Sequence, residues 1–133
     1  MKTIPKLLAS LCAVAALAAS GHALAQTPPL QRTIVGKGDV SVPGREAVIA
    51  RVEVAPGATA ARHTHPGDEI AYVSEGETEL LVDGEAPRIV KAGETFVIPA
   101  GVVHAAHNAG STPIKLISVY VVEKGKPLAT PAP

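Results

Sequence analysis

Residues 57–76 read GATAARHTHPGDEIAYVSEG, and this segment places two histidines and one glutamate close together. His63 and His65 are two residues apart, so both imidazoles point to the same face if the segment is a β-strand. Pro66-Gly67 then predicts a turn, after which Glu69 returns on the next strand toward the same space. The segment therefore predicts two short strands that carry three residues of the metal-ligand type. If Glu69 faces inward, the alternate residues Ile70 and Tyr72 are expected to pack against the other layer.

A second segment, residues 93–108, reads GETFVIPAGVVHAAHN and supplies a fourth residue of this type. His104 follows Pro99-Ala100-Gly101, a turn that brings a distant strand across. Three imidazoles and one carboxylate form a mixed nitrogen and oxygen set, which suits Fe, Mn, Ni, Cu or Zn better than Ca or Mg. Four protein ligands leave one or two positions on a five- or six-coordinate ion for water, oxygen or substrate.

The rest of the chain carries β-strand signals. Val48, Ala50, Val52 and Val54 alternate with more polar residues, a period of two. Residues 78–82 and 88–91 flank Asp83-Gly84, which favours a hairpin. Residues 114–122 form the longest β-branched run, and no helical period follows residue 25. Short strands separated by turn signals predict an all-β sandwich or barrel.

The two segments together resemble the conserved motifs of the cupin superfamily. Residues 57–76 fit G-x5-H-x-H-x3-E-x6-G and residues 93–108 fit G-x5-P-x-G-x2-H-x3-N, with a spacer of 16 residues typical of small single-domain bacterial cupins. The resemblance covers roughly residues 33–122. It implies one cupin domain over residues 33–123, with a double-stranded β-helix or jelly-roll barrel. It also implies that one divalent metal ion is bound by His63, His65, Glu69 and His104.

The two ends of the chain differ from this domain. Lys2 and Lys6, an apolar run over 7–19 and Ala23-Leu24-Ala25 have the layout of a secretory signal peptide over residues 1–25, with cleavage near Ala25. The apolar run is too short for a transmembrane anchor. Cleavage predicts a secreted or periplasmic protein with no membrane attachment. Residues 26–32 are expected to form an extended leader, and residues 124–133, rich in proline, a flexible tail.

Composition excludes several classes of function. Removal of Lys2 and Lys6 with the signal peptide leaves ten basic residues against twelve acidic ones, a net charge of −2. A chain with this net charge has no excess of basic residues for binding nucleic acid or anionic membranes. The single cysteine, Cys12, leaves with the signal peptide, so the mature chain has no disulfide or thiolate chemistry.

Four further residues have open or minor roles. His107 lies three residues after His104, so strand parity places it on the opposite face, as a surface histidine. Arg51 either anchors an anionic substrate or is an exposed strand residue, and we expect the second. Tyr120 and Phe96 either line the mouth of the barrel or fill its core.

Two classes of function fit these residues. The first is a mononuclear metalloenzyme acting on a small oxygen-bearing molecule, which the resemblance favours. It is either dioxygenase-like, as in quercetin dioxygenase-like cupins, or a Lewis-acid isomerase, lyase or decarboxylase, with Glu69 as general base. The second is a non-catalytic periplasmic module that binds a metal or a small metabolite. The resemblance also implies a homodimer, with residues 31–35 as a strand shared between subunits.

Overall fold

The computed structural model describes residues 28–133, and all of its regular structure there is β-strand. The predicted signal peptide and the first two residues of the predicted leader lie outside these residues. The strands are β1 Leu30–Asp39, β2 Arg45–Val54, β3 Thr59–Thr64, β4 Gly67–Glu75, β5 Glu77–Val82, β6 Arg88–Lys91, β7 Thr95–Ile98, β8 His104–His107, β9 Ile114–Glu123 and β10 Thr130–Pro131.

These strands form two antiparallel sheets of five strands each. One sheet has the order β1-β2-β9-β4-β7 and the other has the order β10-β3-β8-β5-β6. The chain crosses between sheets at Pro66, where β3 of the second sheet leads into β4 of the first. The predicted all-β cupin barrel, a double-stranded β-helix, is confirmed.

The core follows from the alternation seen in the sequence. Val48, Ala50, Val52 and Val54 of β2 are buried, because successive side chains of a strand point to opposite faces of the sheet. On β4 the same rule buries Ala71 and Val73 beside Glu69. The interior is thus a layer of small branched side chains between the two sheets, which leaves room for a polar cluster.

The predicted hairpin is also present, since β5 and β6 pair antiparallel across residues 83–87. An expectation about the outer face of β4 is wrong. Ile70 and Tyr72 were predicted to pack against another layer, but both are exposed on the outside of the first sheet. No third layer covers that sheet within residues 28–133.

Both ends of the described chain pair with the barrel. β1 begins at Leu30, inside the predicted leader, and Leu30 packs against the core. In the predicted tail, β10 pairs with β3, and the Ala132 amide donates to the Arg62 carbonyl at 3.0 Å. Proline fits there because β10 is an edge strand, where a missing amide donor breaks no ladder. The last residues are therefore attached to the barrel.

Candidate metal centre

The structure brings the four predicted ligands together inside the barrel, from both sheets. His63 on β3 and His104 on β8 are direct partners in the ladder of the second sheet. His65 lies on the connection between β3 and β4, where its carbonyl accepts from the Gly101 amide at 3.0 Å. Glu69 reaches the cluster from β4 in the first sheet. The turns predicted before Glu69 and His104 thus bring together residues far apart in sequence.

The facing atoms are imidazole Nε2 nitrogens and one carboxylate oxygen. Ligand atoms of the three histidines lie within 4.8 Å of one another. His63 Nε2 is 3.2 Å from His65 Nε2. Glu69 Oε2 is 3.2 Å from His65 Nε2 and 3.1 Å from His104 Nε2. His65, Glu69 and His104 are buried, and His63 is partly exposed at the mouth.

Hydrogen bonds to backbone carbonyls fix the tautomer of each imidazole. His63 Nδ1 donates to the Ala61 carbonyl at 2.7 Å, His65 Nδ1 to the Leu128 carbonyl at 2.6 Å, and His104 Nδ1 to the Val102 carbonyl at 3.0 Å. A carbonyl only accepts, so each Nδ1 carries a proton. In the neutral rings each Nε2 then presents a lone pair to the centre, an arrangement that orients histidines for a metal.

This arrangement fits a divalent cation by its own chemistry. Three nitrogen lone pairs and a carboxylate oxygen converge in a buried space, and they repel one another unless a positive charge lies between them. Three carbonyls and a hydroxyl hold the groups from behind, since the Ser118 hydroxyl donates to Glu69 Oε1 at 2.8 Å. The residues present would therefore hold a metal through His63, His65, His104 and Glu69.

The charge states of His63 and Glu69 agree with this fit. Burial, together with the charges of His104, His65 and Arg32, lowers the pKa of His63 to about 4. His63 is therefore neutral near pH 7. Burial alone would raise the pKa of the Glu69 carboxyl. In the absence of a metal, a proton on Nε2 of His104 or His65 takes the place of the ion and donates to Glu69, and this contact, with the Ser118 hydroxyl, holds that pKa well below its usual range. Glu69 is therefore a carboxylate.

A small, mostly apolar cavity adjoins the cluster. Its volume is about 20 Å³, enough for a water molecule, and its walls include Phe96, Leu116 and Tyr120. The Tyr120 ring lies 4.7 Å from the His65 ring. Burial and the negative charge of Glu69 raise the pKa of Tyr120 to about 12, so the phenol stays protonated. Of the two roles left open for Phe96 and Tyr120, the second applies: both are buried core residues, and they line the inner cavity.

The other residues singled out from the sequence lie away from the centre. His107 at the end of β8 exchanges a hydrogen bond with the Thr59 hydroxyl at 2.9 Å and is not part of the histidine cluster. Arg51 is exposed on the outer face of β2, as expected, and lines an open groove there instead of the interior. Neither contacts the four predicted ligands.

Sequence reasoning missed three contributors to the site. Ser118 had a signal, because it is the polar residue on the inward face of β9, between Leu116 and Tyr120. The Leu128 carbonyl had no signal in the sequence, because every residue has a backbone carbonyl and its hydrogen-bond partner depends on the fold. Gly67 also supports the site: a Cβ there would overlap the Val121 carbonyl oxygen, so only glycine lets β4 approach β9 between His65 and Glu69.

Two antiparallel sheets around three histidines and a carboxylate define a β-barrel protein with a candidate mononuclear metal centre. The profile of the family described as "Cupin domain" matches residues 50–120, more than half of the chain, so the chain belongs to the cupin family. The crystal structure of a cupin-like protein from Thermotoga maritima shares the fold, with a TM-score of 0.64 and 24% identity over 77% of this chain and 75% of that one.

Curated relatives include plant proteins of greater length. Germin-like protein subfamily 2 member 2 of Arabidopsis thaliana is 35% identical over 95 residues, which cover 65% of this chain and 43% of that protein. Oxalate oxidase 1 of Hordeum vulgare is 43% identical over 70 residues, which cover 47% of this chain and 35% of that protein. The chain thus spans less than half the length of these two relatives.

Proposed function

We propose that this cupin is a mononuclear metalloenzyme that acts on a small oxygen-bearing molecule. The observation that carries the proposal is the convergence of three oriented Nε2 atoms and the Glu69 carboxylate beside an internal cavity. Four protein ligands do not saturate a five- or six-coordinate ion, so substrate or oxygen has a place beside them.

A bound divalent ion would supply Lewis acidity and, for a redox metal, one-electron chemistry with dioxygen. The residues supply the rest. His65 and His104 are held by backbone carbonyls, so the centre is preorganised. Glu69 has two proposed roles, as a metal ligand and as a base that accepts a proton from substrate. Because its pKa is low, the carboxylate is a weak base, and the ligand role is the stronger of the two. Tyr120, kept protonated, offers a hydrogen-bond donor.

The size of the cavity narrows the substrate. A volume of about 20 Å³ holds about one water molecule, so an organic substrate would extend from the centre into the mouth outside the cavity, a space of about 220 Å³. The relative from Hordeum vulgare is named for oxalate, a small dicarboxylate. We therefore rank small acids and diketones ahead of flavonols. Dioxygenase-like chemistry and Lewis-acid chemistry such as isomerisation, lyase action or decarboxylation remain the two reaction types.

The alternative function is a non-catalytic module that binds a metal or a small metabolite. The observation in its favour is the scarcity of acid and base groups: apart from the ligands, the residues lining the inner cavity include one acid–base side chain, Tyr120, and one cation, Arg32. A module of this kind would hold its metal without converting any compound.

Turnover by metal-loaded protein separates the two functions. Protein loaded in turn with Fe, Mn, Ni, Cu and Zn is assayed for oxygen uptake and substrate loss with oxalate, catechol, acetylacetone and a flavonol. We expect one metal form to consume a small compound, and Glu69→Gln to lower that rate by roughly a hundredfold or more. Substrate loss without oxygen uptake would indicate Lewis-acid chemistry. Stoichiometric metal with no conversion in any form would favour the binding module instead.

Export and dimerisation complete the proposal. The signal-peptide pattern supports export with Gln26 as the new N-terminus, and no helix within residues 28–133 is long and apolar enough to span a membrane. Residues 31–34, most of the strand predicted to be shared between subunits, pair with β2 of the same chain. The dimer that we propose therefore forms through the outer face of the first sheet, which carries adjoining apolar positions at 37–57% exposure: Ile70, Tyr72, Val97 and Ile117. Native mass spectrometry of the exported protein should show dimers of chains that begin at Gln26. Full-length chains would contradict the proposed cleavage, and monomers would contradict the proposed dimer.

A further inference from the structure

Arg32 on β1 is a cation placed at the candidate metal centre. Its neighbours Gln31 and Thr33 are exposed, whereas Arg32 is partly buried and points inward. It lines the inner cavity together with His63, Glu69 and His104. It also lines the mouth outside that cavity, a space of about 220 Å³ between β1, β3 and the last residues of the chain. Any molecule that enters from this mouth passes Arg32 before it reaches the centre.

The guanidinium is not neutralised by the residues that the structure describes. None of the ion pairs within residues 28–133 includes Arg32, and its buried Nε has no hydrogen-bond partner there. Its neighbour at the mouth, Arg62, differs: Arg62 makes two hydrogen bonds to Asp83 at 2.7 and 2.8 Å and one to the Pro133 carbonyl at 2.7 Å. Arg62 is therefore engaged, whereas the buried Nε of Arg32 is a donor left for an incoming acceptor.

Its position is held by packing. The guanidinium carbon lies 5.6 Å from the centre of the Tyr120 ring, within the range of a cation–π contact. A buried donor without a partner costs free energy, which an incoming acceptor recovers. The planar fork of arginine matches a carboxylate with two parallel hydrogen bonds. The acceptor that fits both the fork and the charge is a carboxylate.

We infer that Arg32 binds a carboxylate of the substrate, and hence that the site takes small carboxylic acids that enter between β1 and β3. The inference rests on the proposed function, because it assigns one end of the substrate to Arg32 and the other to the metal centre. Arg32 is on this account a specificity-determining residue that contacts substrate.

Paired ligands that differ only in charge test this assignment. Oxalate has two carboxylates, whereas oxamate has one carboxylate and one neutral amide of similar size. Both are titrated calorimetrically into zinc-loaded protein, with zinc content measured before and after. Wild type should bind oxalate more tightly than oxamate, and Arg32→Gln should weaken oxalate binding roughly ten- to hundredfold and remove this preference. Arg51→Gln, the neighbouring arginine on the outer face, should leave both affinities unchanged.

The outcomes separate the inference from the proposed function. Unchanged zinc content and oxamate affinity in Arg32→Gln, with oxalate weakened, supports the inference and excludes a structural role. Equal oxalate binding by wild type and Arg32→Gln overturns it and leaves the metal centre intact. If wild type holds zinc but binds neither compound, the proposed function is overturned as well. Should Arg32→Gln not fold, Arg32→Lys replaces it: loss of most of the preference supports a bidentate contact, and an unchanged preference overturns it.

Discussion

His104→Ala is expected to release nearly all bound metal. His104 lies in the ladder opposite His63, and its Nε2 is 3.1 Å from Glu69 Oε2, so it links the two sheets through the centre. Loss of one ligand of four lowers affinity steeply, and the bound metal stabilises only the folded state. That stabilisation is about 2.7 kcal/mol at a hundredfold excess over the dissociation constant. The melting temperature of His104→Ala should therefore not respond to added metal. Elemental analysis and thermal melts measure both effects.

His107→Ala is the matched control on the same short strand. His107 is hydrogen-bonded to Thr59 and lies outside the cluster, so its removal should leave metal content and the metal-dependent rise in melting temperature unchanged. A His107→Ala protein that lost its metal while His104→Ala retained it would show that the ligand assignment is wrong. Unchanged metal in both variants would remove the site altogether.

Gly67→Ala is expected to prevent stable folding. A Cβ at this position would overlap the Val121 carbonyl oxygen and lie 2.6 Å from the Val122 Cα. Both are backbone atoms of β9, which is paired on both sides by β2 and β4, so they cannot move aside without loss of ladder hydrogen bonds. We expect a loss of about 4 kcal/mol or more in the free energy of unfolding, comparable with the most damaging single substitutions. Denaturant unfolding of metal-free protein measures it.

Gly57→Ala is the control for the general cost of replacing a glycine. Gly57 has φ of 71°, yet a Cβ there meets no atom within 4 Å. The cost is therefore that of a left-handed backbone alone, about 1 kcal/mol. Similar losses in the two variants would indicate that β4 and β9 can separate at Gly67, contrary to the close approach described above.

The elements that sequence predicts best are those whose signal is local. The alternation in residues 48–54 gave the buried face of β2, since period-two burial follows from strand geometry alone. The spacing of His63, His65 and Glu69 around Pro66-Gly67 predicted that the three side chains converge, because the turn between the two strands is short. His107 could be separated from His104 by parity for the same reason.

The features that sequence did not predict depend on pairing between distant segments. Arg32 points inward because β1 pairs with β2 in a register that shifts between Ile34 and Gly36, which no local pattern specifies. The need for glycine at position 67 arises from its partner Val122, 55 positions later. Ile70 and Tyr72 looked like core residues because hydrophobicity does not report whether a further layer covers a sheet.

Crystallography of metal-loaded protein with anomalous scattering locates the ion directly. We expect one anomalous peak inside the barrel, about 2.0–2.3 Å from Nε2 of His63, His65 and His104 and from a carboxylate oxygen of Glu69. We also expect the three Nδ1 atoms to keep their bonds to the Ala61, Leu128 and Val102 carbonyls. A peak at another location, ligation through Nδ1, or an ion bound without Glu69 would contradict the ligand assignment.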